Sequence, residues 1–180
     1  MNYIMHEMSS IVEQKPTTSN YDGIQPKVLR RLDMKSGINP LGDAYVAVWL
    51  NDGENKIQTV FVDSKPKVRF KEVVLPTGQF VAEKTGAGIG SAFLATLQRV
   101  LQELANIKNQ TIIHPLRPDS DRSKAFFLRN GYSQEANLKW TDSDRWLIKI
   151  FTPKTISEEL SEEELQLVDE LKKFSIFNQA

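Results

Sequence analysis

From Phe80 to Ala105 the hydrophobic pattern of the chain changes its period. Phe80-Val81-Ala82 closes an extended run, and Glu83-Lys84-Thr85-Gly86-Ala87-Gly88-Ile89-Gly90-Ser91 follows directly. Beyond it Phe93, Leu97, Val100, Leu101 and Leu104 recur at steps of three and four, with Leu94 and Ala105 widening the stripe. Alternation belongs to a strand, and the second spacing to one face of a helix about 17 residues long. A chain that passes from strand to amphipathic helix through three alternate glycines is neither all-α nor all-β. It must lay that helix on a sheet.

The flanking sequence extends this pattern. Ala44–Leu50 and Ile57–Val62 are β-branched and aromatic runs around Asn51-Asp52-Gly53-Glu54-Asn55, a hairpin signal. An extended run from Val68 to Leu75 meets the turn Pro76-Thr77-Gly78 and resumes at Gln79. After the long helix come a strand at Thr111–His114, a helix introduced by Asp119-Ser120-Asp121 and ended by Asn130-Gly131, and strands at Leu138–Thr141 and Arg145–Phe151. Val28–Met34 is compatible with a strand or a short helix. The order, strands first and then β-α-β-α-β-β, predicts a mixed α/β fold. Three parts are expected: an irregular N-terminal segment at 1–43 that belongs to the fold, a core at 44–152, and an acidic helical tail at 153–180.

Composition removes several chemistries. The chain of 180 residues is 40% hydrophobic and 26% charged, which is globular in character and enough for one core. It has no cysteine and only His6 and His114 as imidazoles, so thiolate nucleophiles, iron–sulfur clusters and zinc sites are not expected. No apolar run approaches the roughly 18 residues of a membrane span, and MNYIMHEMSS lacks signal-peptide character, so a soluble cytoplasmic protein is expected. Lysine plus arginine and aspartate plus glutamate number 23 each, but Thr155–Ala180 holds seven acids and two lysines. The body is therefore mildly cationic, which suits an anionic ligand and is too weak to argue for nucleic acid.

The glycine turn is where such a ligand would sit. Closely spaced glycines permit positive φ angles and remove Cβ atoms, and successive N–H groups then join the unpaired first-turn amides of the helix. That array fits a phosphate or diphosphate. A P-loop would need Gly-Lys-Ser/Thr, and Gly90 is followed by Ser91-Ala92; a dinucleotide fingerprint would need glycine where Ser91 stands. The purely structural alternative is a tight strand-to-helix turn.

Two motifs together resemble the GCN5-related N-acetyltransferase superfamily. Thr85-Gly86-Ala87-Gly88-Ile89-Gly90 is similar to its acetyl-coenzyme A loop, with Thr85 in place of Arg or Gln. Ser123-Lys124-Ala125-Phe126-Phe127-Leu128-Arg129-Asn130-Gly131-Tyr132 is similar to its later aromatic helix ending in Gly-Phe or Gly-Tyr. The resemblance spans roughly Ala44 to Phe151. It implies a mostly antiparallel central sheet with helices on both faces, and transfer of an acetyl group from acetyl-coenzyme A to an amine of a small molecule or protein. It further implies that Gly86, Ala87, Gly88, Ile89, Gly90 and Ser91 hold the diphosphate. Phe80, Val81 and Ala82 would pair with the pantetheine arm, and Ser120 would stand where an asparagine touches it. Phe127 takes the place of the tyrosine that protonates the leaving thiolate. A protein that binds coenzyme A or a partner without fast transfer is the alternative.

Candidates for the general base are Glu72, on a strand entering the sheet, Glu83, beside the loop, and His114, at a strand end. Each also has a plain reading, as surface carboxylates or as a histidine bonded to the Pro115–Pro118 loop. Trp140 and Trp146 read as a cross-strand pair or as an acceptor pocket, and Lys65, Lys67, Arg69 and Lys71 as a protected edge or a phosphate-facing surface. In the tail, Leu165, Val168, Leu171 and Phe174 form a stripe on an acidic rod. It either docks on the oppositely charged body or packs against a second copy to form a homodimer.

Overall fold

The computed structural model describes residues 9–13, 29–51, 56–63, 72–74, 77–82, 89–134 and 146–177. Its strands are β1 (Ser9–Glu13), β2 (Leu29–Ile38), β3 (Ala44–Asn51), β4 (Lys56–Val62), β5 (Glu72–Val74), β6 (Thr77–Ala82), β7 (Thr111–Leu116) and β8 (Leu147–Phe151). The helices are α1 (Ile89–Lys108), α2 (Asp121–Arg129) and α3 (Glu162–Leu171), followed by a 3₁₀ turn at Ser175–Phe177. The fold is mixed α/β with mostly antiparallel pairing, as expected.

Two sheets take the place of a single continuous one. β1-β2-β3-β4-β6 is antiparallel throughout; β5-β7-β8 pairs β5 parallel to β7 and β7 antiparallel to β8. The segment read as irregular carries β1 and all of β2, and Arg31–Ile38 runs in register along β3. This resolves the ambiguity at Val28–Met34 in favour of a strand. Leu32 and Met34 alternate with Asp33 and thereby match the two-residue period of the neighbouring β3. β8 pairs with β7 along one edge, and among the described residues Ile148 bridges to Ser133 on the other. Leu138–Thr141, with Trp140, lies outside the described residues.

Alternation sorts the β3 and β4 side chains. Val46, Val48, Leu50, Ile57 and Phe61 join the main core, while Tyr45, Ala47, Trp49 and Val60 form a second cluster on the opposite face. Among the described residues all three helices contribute to the main core and none to the second cluster. Phe93, Leu94, Leu97, Val100, Leu101, Leu104 and Ala105 of α1 are fully buried, as their spacing predicts. α1 continues to Lys108, and Asn109, at φ 49, turns the chain out of the helix.

The acidic tail docks on its own body. Leu167, Val168, Leu171 and Phe174 belong to the main core, so this stripe is covered within the chain. Leu165 is 46% exposed and Leu167 replaces it, because steps of three alone drift about 60° each around a helix. Ser161 caps α3 in a reciprocal box with Glu164, and the Arg99 guanidinium donates to Glu164 Oε2 at 2.9 Å. Both carboxylate oxygens of Asp63, just past β4, accept from the backbone of the 3₁₀ turn: Ser175 N–H at 2.6 Å and Ile176 N–H at 3.1 Å. Among the described residues no helix is long and apolar enough to cross a membrane, and no three metal-ligating side chains cluster.

The tail's place in the core has a measurable consequence. Leu167→Ala should lower the unfolding free energy by about 2–5 kcal/mol, the usual cost of a buried leucine cavity. Leu165→Ala should change it by less than about 0.5 kcal/mol. Urea unfolding of the two variants side by side checks this, and equal losses would contradict the docking.

Candidate functional site

The break between the two sheets falls between β6 and β7. The β5–β7 ladder runs Glu72 to Thr111, Val73 to Ile112 and Val74 to Ile113, and there it stops. Three residues later β6 begins and pairs with β4, Ala82 opposite Ile57 and Thr77 opposite Phe61, with a register irregularity between Thr59 and Phe61. β7 continues from His114 to Leu116, paired with β8. Among the described residues no ladder joins β6 to β7. Alternate residues of an antiparallel strand direct their N–H and C=O groups away from its partner, so one edge of β6 presents amides and carbonyls toward this seam.

A helix follows each strand of the seam, α1 after β6 and α2 after β7. Ile89, Gly90 and Ser91 form the first turn of α1, whose N–H groups have no intrahelical acceptor. Gly86, Ala87 and Gly88, and with them Glu83, lie outside the described residues. Gly90 serves packing more than conformation: a Cβ there would come within 3.0 Å of the Phe126 ring and 3.6 Å of Ile57. Its missing side chain is where α2 closes on α1.

Ser120 is the N-cap of α2. Its hydroxyl accepts from the Ser123 N–H at 3.1 Å, and the Ser123 hydroxyl accepts from the Ser120 N–H at 3.1 Å. This capping box engages the serine that the resemblance placed against the cofactor arm. Phe127 is only 3% exposed and packs in the main core beside Phe126 and Tyr132, with ring centroids 5.5 and 6.2 Å away. Phe80, Val81 and Ala82 contribute backbone to β6 opposite Thr59, Gln58 and Ile57. Glu72 stands level with Thr111, three residues and so roughly 10 Å of strand before His114. The structure does not bring these two together.

His114 is the polar group at the seam. It is the first β7 residue beyond the β5 ladder and is wholly buried, its ring 5.8 Å from that of Phe61 on β4. Its Nδ1 lies 2.5 Å from the Tyr132 hydroxyl, so its partner is this tyrosine and not the Pro115–Pro118 loop. Nε2 has no partner. Burial pushes the imidazole pKa down to about 3. The ring is neutral in the folded protein, far from the near-neutral titration of a free histidine. Tyr132 is driven up by its own burial, against a hydrogen bond from Gln98 that lowers it. The Gln98 amide also donates to the Asn130 carbonyl at 2.7 Å.

Lys149, opposite His114 on β8, has its pKa lowered by burial and by nearby Lys154. Its ammonium lies 3.0 Å from where a Gly131 Cβ would stand, and Gly131 itself has φ +90. The positive φ is what favours glycine there, since the flexible end of the lysine can shift.

Tyr132, Gln98 and Lys149 are the site neighbours that the sequence reading passed over. Gln98 was detectable, four residues after Leu94 and three before Leu101 on the apolar face of α1. Lys149 was detectable too, since it alternates with the buried Leu147 and Phe151.

No family model and no curated protein sequence matches this chain. Among solved structures it is similar to the ribosomal-protein-S18-alanine N-acetyltransferase from Escherichia coli, at a TM-score of 0.36 and 17% identity. That similarity covers 65% of this chain and 74% of the other.

The buried imidazole makes stability depend on pH. An unfolded histidine titrates near 6.5 and His114 near 3, so protons bind the unfolded state first. Its contribution is complete above pH 6.5 and is lost as pH falls toward 3, by up to about 1.4 kcal/mol per pH unit. Urea unfolding at pH 7.5 and 5.0 should show a loss of roughly 2 kcal/mol from this group. His114→Phe should remove that share of the slope; an unchanged slope would refute the burial.

Proposed function

We propose that this chain is an acyl-coenzyme A-dependent N-acyltransferase of the GCN5-related type, with acetyl-coenzyme A as donor and an amine of a small molecule or protein as acceptor. The observation that carries the reading is the seam: a strand edge left without a ladder between β6 and β7, flanked by the first turn of α1. An extended amide-containing arm can hydrogen-bond to such an edge as a strand does. A diphosphate suits unpaired amides at the positive end of a helix dipole. The glycine loop from Thr85 to Gly90 and the motif ending in Gly131-Tyr132 support the same assignment from the sequence.

The residues divide the work as follows. The backbone of Phe80, Val81 and Ala82 binds the pantetheine amides, and the amides from Gly86 to Ser91 bind the diphosphate. Gly90 lets Phe126 brace that turn. The acceptor must be a neutral amine to attack the thioester carbon. A histidine held neutral down to about pH 3 is a poor proton acceptor, so we assign that deprotonation to Glu72. The N–C bond forms, the C–S bond breaks, and the thiolate leaves with a proton from solvent, because Phe127 has none to give.

The position of Phe127 also favours a second reading, in which the chain binds the coenzyme with little transfer. A core phenylalanine in place of a proton donor is consistent with a loss of roughly 10²–10⁴-fold.

Melting in the presence of acetyl-, succinyl- and free coenzyme A separates these. A ligand at 100 times its dissociation constant adds about 2.7 kcal/mol, which for a chain of this size raises Tm by several degrees. A shift with turnover on an amine panel supports the transferase, and a shift without turnover supports the binding module. No shift with any of the three overturns both.

A further inference from the structure

We propose that the Nε2–H of His114 is the side-chain donor for the thioester carbonyl oxygen of the acyl substrate, and that Tyr132 and Gln98 set its tautomer. This deepens the acyltransferase reading and rests on it.

Gln98, Tyr132 and His114 form one chain of hydrogen-bonded groups. The Gln98 side chain hydrogen-bonds the Tyr132 hydroxyl. Its amide nitrogen also donates to the Asn130 carbonyl, which fixes the orientation of that amide. In the proposed arrangement the phenol oxygen accepts from Gln98, and its own hydrogen goes to His114 Nδ1, 2.5 Å away. Nδ1 is then an acceptor, and in a neutral imidazole the remaining proton belongs to Nε2.

That N–H is buried and has no acceptor. Buried donors are overwhelmingly paired, and leaving one unmade costs about 1–3 kcal/mol, so the exception calls for a reason. A ligand supplies one. His114 is the first residue of β7 beyond its ladder with β5, and its ring reaches toward Phe61 on the strand that pairs with β6. The imidazole thus belongs to the strand that flanks the seam in which the acyl arm is placed.

The chemistry selects the atom. The pantetheine amides each offer a donor and an acceptor, and a strand edge matches both. The thioester carbonyl accepts and has no N–H of its own, so it needs a donor without an accompanying acceptor. An imidazole N–H meets that need, and a neutral imidazole can polarise a carbonyl without surrendering its proton. The bond strengthens as negative charge develops on the oxygen during attack. In this arrangement Tyr132 is a positioning residue, since it acts through His114.

The test compares acetyl-coenzyme A with free coenzyme A by calorimetry, in the wild type, His114→Phe and Tyr132→Phe. The two histidine nitrogens are also assigned by ¹⁵N NMR in the unliganded protein. The proposal expects the Nε2–H tautomer in the wild type and a mixture of tautomers in Tyr132→Phe. It expects His114→Phe to weaken acetyl-coenzyme A by about 2- to 10-fold while free coenzyme A binds as before. Tyr132→Phe should show a smaller loss of the same kind, which keeps the proposal open to refutation if His114→Phe does not fold. An Nδ1–H tautomer in the wild type overturns it, as does an equal effect on both ligands in either variant. If the wild type binds neither ligand, the acyltransferase reading falls, and this one with it.

Discussion

A strand has two edges, and here the molecule depends on one that stays unzipped. β6 gives one edge to β4, β7 gives one to β8, and among the described residues the two lie near each other without sharing a ladder. Backbone N–H and C=O groups are costly to leave unpaired once buried, so a gap in the middle of a protein persists only if something else holds the flanking strands in place. α1 does this. It connects β6 to β7, and its apolar face is packed in the core shared by both sheets. The register irregularity at Thr59 and Phe61 bends the ladder where the seam begins.

The same helix carries the constraint outward to the tail. One face of α1 meets β4, β7 and β8, and its flank meets α3, with the Arg99–Glu164 bridge at the contact. Glu164 has a 7% exposed side chain, so this pair is far better shielded than the lysine pairs at the end of α3. Removing Arg99 would leave the Glu164 carboxylate in a poorly solvated place, which makes the contact specific in register more than strong in net energy. The opposite charges of body and tail agree with this docking.

Much of the fold was legible because period and position coincide. The burial of Phe93, Leu97, Val100, Leu101 and Leu104 follows from helix spacing alone, and the hairpin of β3 and β4 from its β-branched runs. The capping chemistry at Ser120 was visible as Asp-Ser-Asp before an apolar segment. Partner choice was not legible. The pairing of β8 with β7 has no local signal, because local sequence fixes an edge and says nothing of which distant strand meets it. The site was half legible for the same reason. His114 and the glycine turn announce themselves by residue type, whereas Tyr132 and Gln98 matter only because folding places them 18 and 16 residues from His114 in one buried chain of bonds.

The docking of α3 also orders events in time. The apolar face of α1 is complete in the sequence by Lys108, but residues that cover part of it begin at Glu162 and are fastened by Asp63 only when Ser175 and Ile176 arrive. At roughly 5–20 residues per second the ribosome takes several seconds to deliver that stretch. During that interval an emerging chain carries an amphipathic helix with an unfinished lid, so nascent-chain chaperones have a greasy surface to hold until the final turn clears the tunnel.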